Sequence, residues 1–153
     1  MNKITGTIIT LNAEKYIERA IKSLQSICDE VIVLDSESTD QTRDIAMKSG
    51  AKVFIQSFLG DGAQKKEASK FSKNNWIFSM DADEYLANDL VEFIKTINLN
   101  GDYDSYSFRR KNYCGDEWIK AAGFYPDEVT RLYDKTKVNY DTRADHAAVA
   151  SIK

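Results

Sequence analysis

Val31-Ile32-Val33-Leu34-Asp35-Ser36-Glu37-Ser38-Thr39-Asp40-Gln41 is the stretch on which the fold turns. Its first four residues form a continuous apolar run without alternation, as expected for a strand covered on both faces. Ser38-Thr39-Asp40-Gln41 reads as a capping box, with Ser38 as the cap, opening a helix that runs through Ile45 and Ala46 to Gly50. A doubly buried strand that leads at once into a helix belongs in a parallel sheet.

The flanking sequence repeats this unit. Upstream, Thr5 to Leu11 reads as a strand, and Glu14 to Ser26 carries Ile17, Ala20, Ile21 and Leu24 as the stripe of an amphipathic helix. Downstream, Lys52 to Phe58 reads as a strand, Asp61 to Phe71 as a helix, and Trp76 to Met80 as a fourth strand. Asn88 is expected to cap a last helix with Leu90, Val91, Ile94 and Ile97 on one side. Strand and helix alternating in this way predict an α/β chain with right-handed crossovers. After Gly101 the texture changes to aromatic and basic strand-like pieces, Ser105 to Asn112 and Thr130 to Tyr133. Residues 101–153 therefore read as strands and loops added to a core of residues 1–100, within a single domain.

A net charge of −3 argues against a bulk nucleic-acid binder, which needs a basic field. Cys28 and Cys114 lie far apart with no CxxC or histidine partner, so neither a zinc site nor a disulfide framework is expected, and a reducing cytosol is the default. No apolar run is long enough to cross a bilayer, and Met1 to Thr5 leads directly into a strand, without a signal peptide.

In such sheets ligands bind beyond the carboxyl ends of the strands. Those ends carry Thr10-Leu11-Asn12, Asp35-Ser36, Phe58-Leu59-Gly60-Asp61-Gly62 and Asp81-Ala82-Asp83-Glu84. Carboxylates two apart at a strand end suit a hard divalent cation shared with substrate phosphates. The bland alternative is an acidic turn before the next helix. Asp35 lies too early to be needed for the cap and is expected to meet a ligand. Lys65 either meets a phosphate or base, or is simply solvated. His146 excludes any two-imidazole mechanism and reads as a tail residue. Arg109-Arg110-Lys111-Asn112-Tyr113, with Trp118, Phe124, Tyr125 and Arg131, offers aromatic faces and cations for sugars and phosphates, or an aromatic core for the added strands.

Three segments in order, Ile8 to Glu14, Val31 to Thr42 and Trp76 to Glu84, together resemble the family-2 glycosyltransferases. That resemblance implies the Rossmann-like GT-A fold, a mostly parallel sheet with helices on both faces. The later run from Arg109 through Trp118-Ile119, Gly123 to Asp127 and Arg131-Leu132 is similar to a subgroup of lipopolysaccharide core β-glucosyltransferases. By this likeness, Thr10, Asn12 and Glu14 match the first nucleotide-contact segment, with Ala13 where a second acidic residue is common. Asp35 matches the carboxylate that meets uracil, and Lys65 a basic residue supporting base or phosphates. Asp81 would face the ribose, and Asp83 would hold Mg2+ or Mn2+. Asp127 is the candidate base, with Glu128 as the fallback.

The resemblance implies an inverting enzyme that takes a sugar, glucose by expectation, from a UDP-sugar to a lipid-linked oligosaccharide at the cytosolic membrane face. Relatives run longer, and they carry His-Glu where this chain has His146-Ala147. Two rival readings stand beside it. One is a nucleotidyltransferase, disfavoured because the loop Asn12-Ala13-Glu14-Lys15 has no glycine; the other is a non-catalytic nucleotide-sugar-binding remnant.

Overall fold

Glycine at position 6 lets the first helix lie directly on the first strand. A Cβ there would stand 2.9 Å from Leu24 Cδ1 and 3.3 Å from Cys28 Sγ. The computed structural model describes residues 2–123, 125–143 and 148–152, so Phe124 and His146 lie outside the described residues. The elements in chain order are β1 (Ile4–Thr10), α1 (Ile17–Gln25), β2 (Glu30–Asp35), α2 (Thr42–Lys48), β3 (Lys52–Ile55), α3 (Asp61–Lys70) and β4 (Trp76–Asp81). They continue with α4 (Asn88–Thr96), β5 (Ser105–Arg110), β6 (Tyr113–Cys114), β7 (Glu117–Trp118), β8 (Asp127–Asp134), β9 (Val138–Tyr140) and β10 (Val149–Ser151).

Six strands form one sheet in the order β3-β2-β1-β4-β8-β5. The first four are parallel, and β8 runs antiparallel to both β4 and β5. The sheet is thus α/β, mostly parallel, and the pieces after Gly101 extend it as β5 and β8. Alternation divides the side chains between two faces. Ile4, Ile8, Phe78 and Met80 pack with Ile17, Ile21 and Leu24 of α1, Ala46 of α2 and Ile94 of α4. Ile77 and Tyr133 point the other way and pack with Val138 and Tyr140, where α3 also contacts β1 and β9. Helices therefore cover both faces. Ile32 and Leu34 in the middle are fully buried, each contributing about 1.5–3 kcal/mol by leaving water.

Several boundaries differ from the sequence reading, each for a local reason. Ser38 does not cap α2, which begins at Thr42 without a side-chain cap, because the Ser38 hydroxyl is committed to Asp35. Asp40 instead accepts from Thr42 N at 2.9 Å, an Asx turn just ahead of the helix. α1 begins at Ile17 because Ala13 to Tyr16 form a turn, closed by Tyr16 N to Ala13 O at 2.9 Å. Asn88 is the first helical residue of α4, and Ala87 occupies the cap position. β3 stops at Ile55, opposite Asp35, where its only partner strand ends. β8 starts at Asp127, three residues before the expected Thr130, which places Asp127 in regular register with Arg110.

Candidate active site

The adjacent strands β2, β1 and β4 end side by side, with Thr10 level with Asp35 and Ile9 level with Asp81. The loops that follow β1 and β2 are clasped by three successive backbone donors. Asn12 N meets Ser38 Oγ at 2.8 Å, Ala13 N meets Thr42 Oγ1 at 2.8 Å, and Glu14 N meets Asp40 Oδ2 at 3.2 Å. Side chains answer in the other direction. Asn12 Oδ1 accepts from Thr39 N at 2.8 Å, and Glu14 Oε2 accepts from Gln41 N at 3.0 Å. Asn12 holds a left-handed backbone, φ +48°, to make this contact, a conformation asparagine tolerates better than most residues.

Beyond the clasp lies a cavity of about 270 Å³ lined by Ile9, Thr10, Leu11, Ser36, Phe58 and Asp81. Thr10 Oγ1 is buried and has no hydrogen-bond partner among the described residues. Buried hydroxyls rarely go unpaired, so this one is available to a ligand. Gln64 braces Ser36 and the segment around Phe58. Its Nε2 donates to Ser36 Oγ and to Gln56 O, both at 3.1 Å, and its Oε1 accepts from Leu59 N at 3.2 Å. Phe58 is held at the mouth with its ring largely exposed. A second cavity, about 220 Å³, opens near the start of β1 beside Ile4, Ile27 and Ile94 and carries no such chemistry.

The tip of β4 is an electrostatic junction. Lys65 Nζ lies 3.1 Å from Asp81 Oδ1 and 3.1 Å from Asp61 Oδ2. Arg131 Nη2 lies 3.6 Å from Asp81 Oδ2 and also binds Glu84. Glu84 in turn accepts from Asp81 N at 3.1 Å and from Arg110 Nη1 at 3.3 Å. Burial opposes ionisation of Asp81, but Lys65 and Arg131 outweigh it and hold the carboxyl below its usual range. Burial likewise disfavours the Lys65 ammonium, yet Asp81, Tyr140 and Asp61 raise its pKa above the usual value. Asp81 and Lys65 are therefore both charged at neutral pH.

Asp127 stands on the far side of this junction. Its Oδ2 receives Arg110 Nε and Nη2, both at 2.8 Å, and Asn112 Nδ2 at 3.0 Å. The Asn112 bond, helped by Arg110, lowers its pKa despite slight burial. Glu128 points to the opposite face and forms an exposed pair with Arg109 at 3.4 Å. A bulge sets Arg131. The β5–β8 register slips between Tyr106/Leu132 and Ser107/Thr130, leaving Arg131 without a partner on β5 and free to reach the β4 tip.

The structure brings Thr10, Lys65, Asp81 and Asp127 to one region. Asp35 is there too, but fully buried, with Ser38 N and Oγ on its oxygens; its neighbour Ser36 lines the cavity instead. Asn12 and Glu14 serve the clasp. Asp83 is exposed and makes no ion pair among the described residues. Sequence reasoning gave no role to Glu84, Ser36 or Gln64. Only Glu84 carried a signal, as the third carboxylate of the acidic tip.

An α/β sheet with a hydroxyl-lined cavity and an acidic strand tip at its carboxyl edge has the doubly wound arrangement, in which ligands bind at that edge. Comparison with known proteins makes the assignment narrower. The chain belongs to glycosyltransferase family 2, whose profile, Glycosyl transferase family 2, matches residues 7–152. It is 42% identical over 140 residues to an uncharacterized glycosyltransferase of Rickettsia typhi, covering 88% of this chain and 47% of that protein. It is 28% identical over 149 residues to the lipopolysaccharide core biosynthesis glycosyltransferase LpsC of Rhizobium meliloti, covering 90% of this chain and 53% of that one. The chain thus spans about half the length of these relatives. Glucosyl-3-phosphoglycerate synthase from Mycobacterium tuberculosis, solved in complex with UDP, is similar with a TM-score of 0.50 and 30% identity over 61% of this chain and 37% of that one. The fold is the GT-A fold of this family.

Proposed function

We propose that this chain forms the donor-binding side, and supplies the base, of an inverting glycosyltransferase. The donor is a UDP-sugar, with glucose as the expected sugar. The acceptor is a lipid-linked oligosaccharide of a lipopolysaccharide or lipooligosaccharide core or a related surface glycan, met at the cytosolic face of a membrane. The observation that carries this reading is the unpaired Thr10 hydroxyl in a cavity between Ser36 and Asp81. The UDP complex of the similar Mycobacterium enzyme and the name of the Rhizobium relative support donor and acceptor respectively. Family membership favours glycosyl over nucleotidyl transfer. Among the described residues no helix is long and apolar enough to cross a membrane, and the membrane contact proposed is peripheral.

In this reading the base of UDP enters between Leu11 and Phe58, and the ribose meets Asp81. Asp35 acts through the turn it holds, setting Ser36 against the base. Asn12 and Glu14 keep the two loops together around it. Lys65 stays beneath Asp81 and fixes the carboxylate that meets the ribose. Among the described residues no three metal-ligating side chains cluster, while Asp83 is an exposed, unpaired carboxylate. That donor set fits a Mg2+ or Mn2+ ion that arrives with the diphosphate, because such ions accept one or two carboxylates plus phosphate oxygens. Bound there, the ion supplies neutralisation of the charge developing on the leaving diphosphate.

Arg110 and Asn112 hold Asp127 by Oδ2, which supports Oδ1 as the atom that meets the acceptor hydroxyl. Asp127 takes the hydroxyl proton as the acceptor oxygen bonds to the anomeric carbon, the bond to UDP breaks and the configuration inverts. The experiment is Asp127→Ala. Transfer of glucose from UDP-glucose is expected to fall by about 10²- to 10⁴-fold, while UDP affinity is unchanged. Undiminished transfer would remove Asp127 as the base. Because the chain covers only 47% of its Rickettsia relative, UDP binding without any turnover would identify a donor-binding remnant.

A further inference from the structure

Lys111 and Lys120 converge on one aromatic ring. Lys111 Nζ lies 4.8 Å and Lys120 Nζ 4.2 Å from the ring centroid of Trp118. Trp118 closes the short hairpin of β6 and β7, where it pairs with Tyr113 across a turn that includes Gly115 at φ +60°. Both lysines are exposed, and neither has a carboxylate partner among the described residues. Their neighbours differ. Arg109 is matched by Glu128, and Arg110 by Asp127 and Glu84. On a chain of net charge −3, two ammonium groups placed on one indole are a local concentration of positive charge. The ring quadrupole attracts each cation to the same indole. An anion beside this indole would gain charge-assisted hydrogen bonds from ammonium groups that have no carboxylate partner among the described residues.

The hairpin is tied to the candidate base. Ile119 N donates to Asn112 O at 2.9 Å, and Asn112 Nδ2 donates to Asp127 Oδ2 at 3.0 Å. From the other side, Tyr125 packs edge-on against Trp118 with centroids 5.1 Å apart, two residues before Asp127. One side chain thus separates the cationic hairpin from the carboxylate assigned to the acceptor hydroxyl.

We propose that Lys111 and Lys120, gathered by Trp118, bind an anionic group, a sugar phosphate or carboxylate, carried by the acceptor. The placement of the acceptor rests on the Asp127 reading above; the anion preference is a property of the hairpin alone. A membrane anchor is the weaker use of this surface. Trp118 is half-buried, carries lysines over its ring and packs on Tyr125, so it offers no free apolar face to lipid.

Trp118 itself reports the test, since the only other tryptophan, Trp76, is buried at the far end of β4. Emission is titrated with glucose 6-phosphate, glucuronate, methyl glucoside and inorganic phosphate, with Trp118→Phe as the control. The expected result is a saturable change with the two anionic sugars, at an affinity about tenfold or more above methyl glucoside. The double variant Lys111→Gln/Lys120→Gln is expected to lose that preference while binding UDP and Mn2+ normally. Equal binding of methyl glucoside, or a preference that survives in the double variant, overturns the proposal. So does inorganic phosphate that binds as tightly as the sugar phosphate. Lysine-dependent binding of phosphatidylglycerol vesicles without any response to the sugars overturns it in favour of a membrane. Failure of UDP binding strikes the donor site and is read separately.

Discussion

The tips of β1, β2 and β4 and the pair β5 and β8 border the same junction, yet they are held in different ways. β2 is buried along its whole length, and its tip is fixed by hydrogen bonds from loop backbones to Ser38, Thr42 and Asn12 and to the carboxylates of Asp35, Asp40 and Glu14. β5 is at best half-buried and reaches the junction through Arg110, which pairs with Asp127 and Glu84. The difference teaches that the proposed donor side is preformed largely by packing and backbone hydrogen bonds, whereas the proposed acceptor side rests on ion pairs between half-buried or exposed side chains. Packing is indifferent to salt, and exposed ion pairs are screened by it. A rigid pocket beside an adjustable, electrostatic one suits an enzyme that binds one fixed donor and then admits a larger acceptor.

The contrast can be broken by substitution. Leu34→Ala on β2 should cost about 3–4 kcal/mol in chemical denaturation, with Phe108→Ala on half-buried β5 costing much less. Equal losses would show that the two sides are packed alike. A smaller effect is expected where the sides meet. Asp81→Asn leaves buried Lys65 and Arg131 each without one partner, and about 2 kcal/mol is expected, moderated by the partial exposure of Asp81. Its pH dependence has a definite sign. Asp81 is held below its ordinary 3.8, so the wild-type advantage is complete above that pH and vanishes as pH falls through the lower folded value. Denaturation curves for the two proteins from pH 6 to acid should therefore converge; a gap that persists in acid would rule out the charge of Asp81 as its source.

The same contrast explains what could be read from sequence. Val31 to Leu34 and Trp76 to Met80 announce strands because apolar burial has a period and a length. The strand-end rule then placed Thr10, Asp81 and Asp83 at one edge. Asp35 was legible as a strand-end carboxylate, but its withdrawal into the turn was not, since whether Ser38 bonds forward to a helix or back to Asp35 depends on backbone torsions that the letters do not carry. Arg131 was one cation among several in an aromatic stretch. Its reach to Asp81 and Glu84 depends on a one-residue bulge, and register slips leave no compositional mark. The two-residue strands β6 and β7 are too short for any periodicity, so the gathering of Lys111 and Lys120 emerged only in three dimensions.

The central claim is that the tips of β1, β2 and β4 hold a uridine diphosphate together with a divalent cation. Calorimetric titration of the chain with UDP, with and without Mn2+, tests it most directly. Saturable 1:1 binding that requires Mn2+ and weakens about tenfold or more in Asp83→Ala is the expected result. Absence of UDP binding, or binding indifferent to both Mn2+ and Asp83, would contradict it.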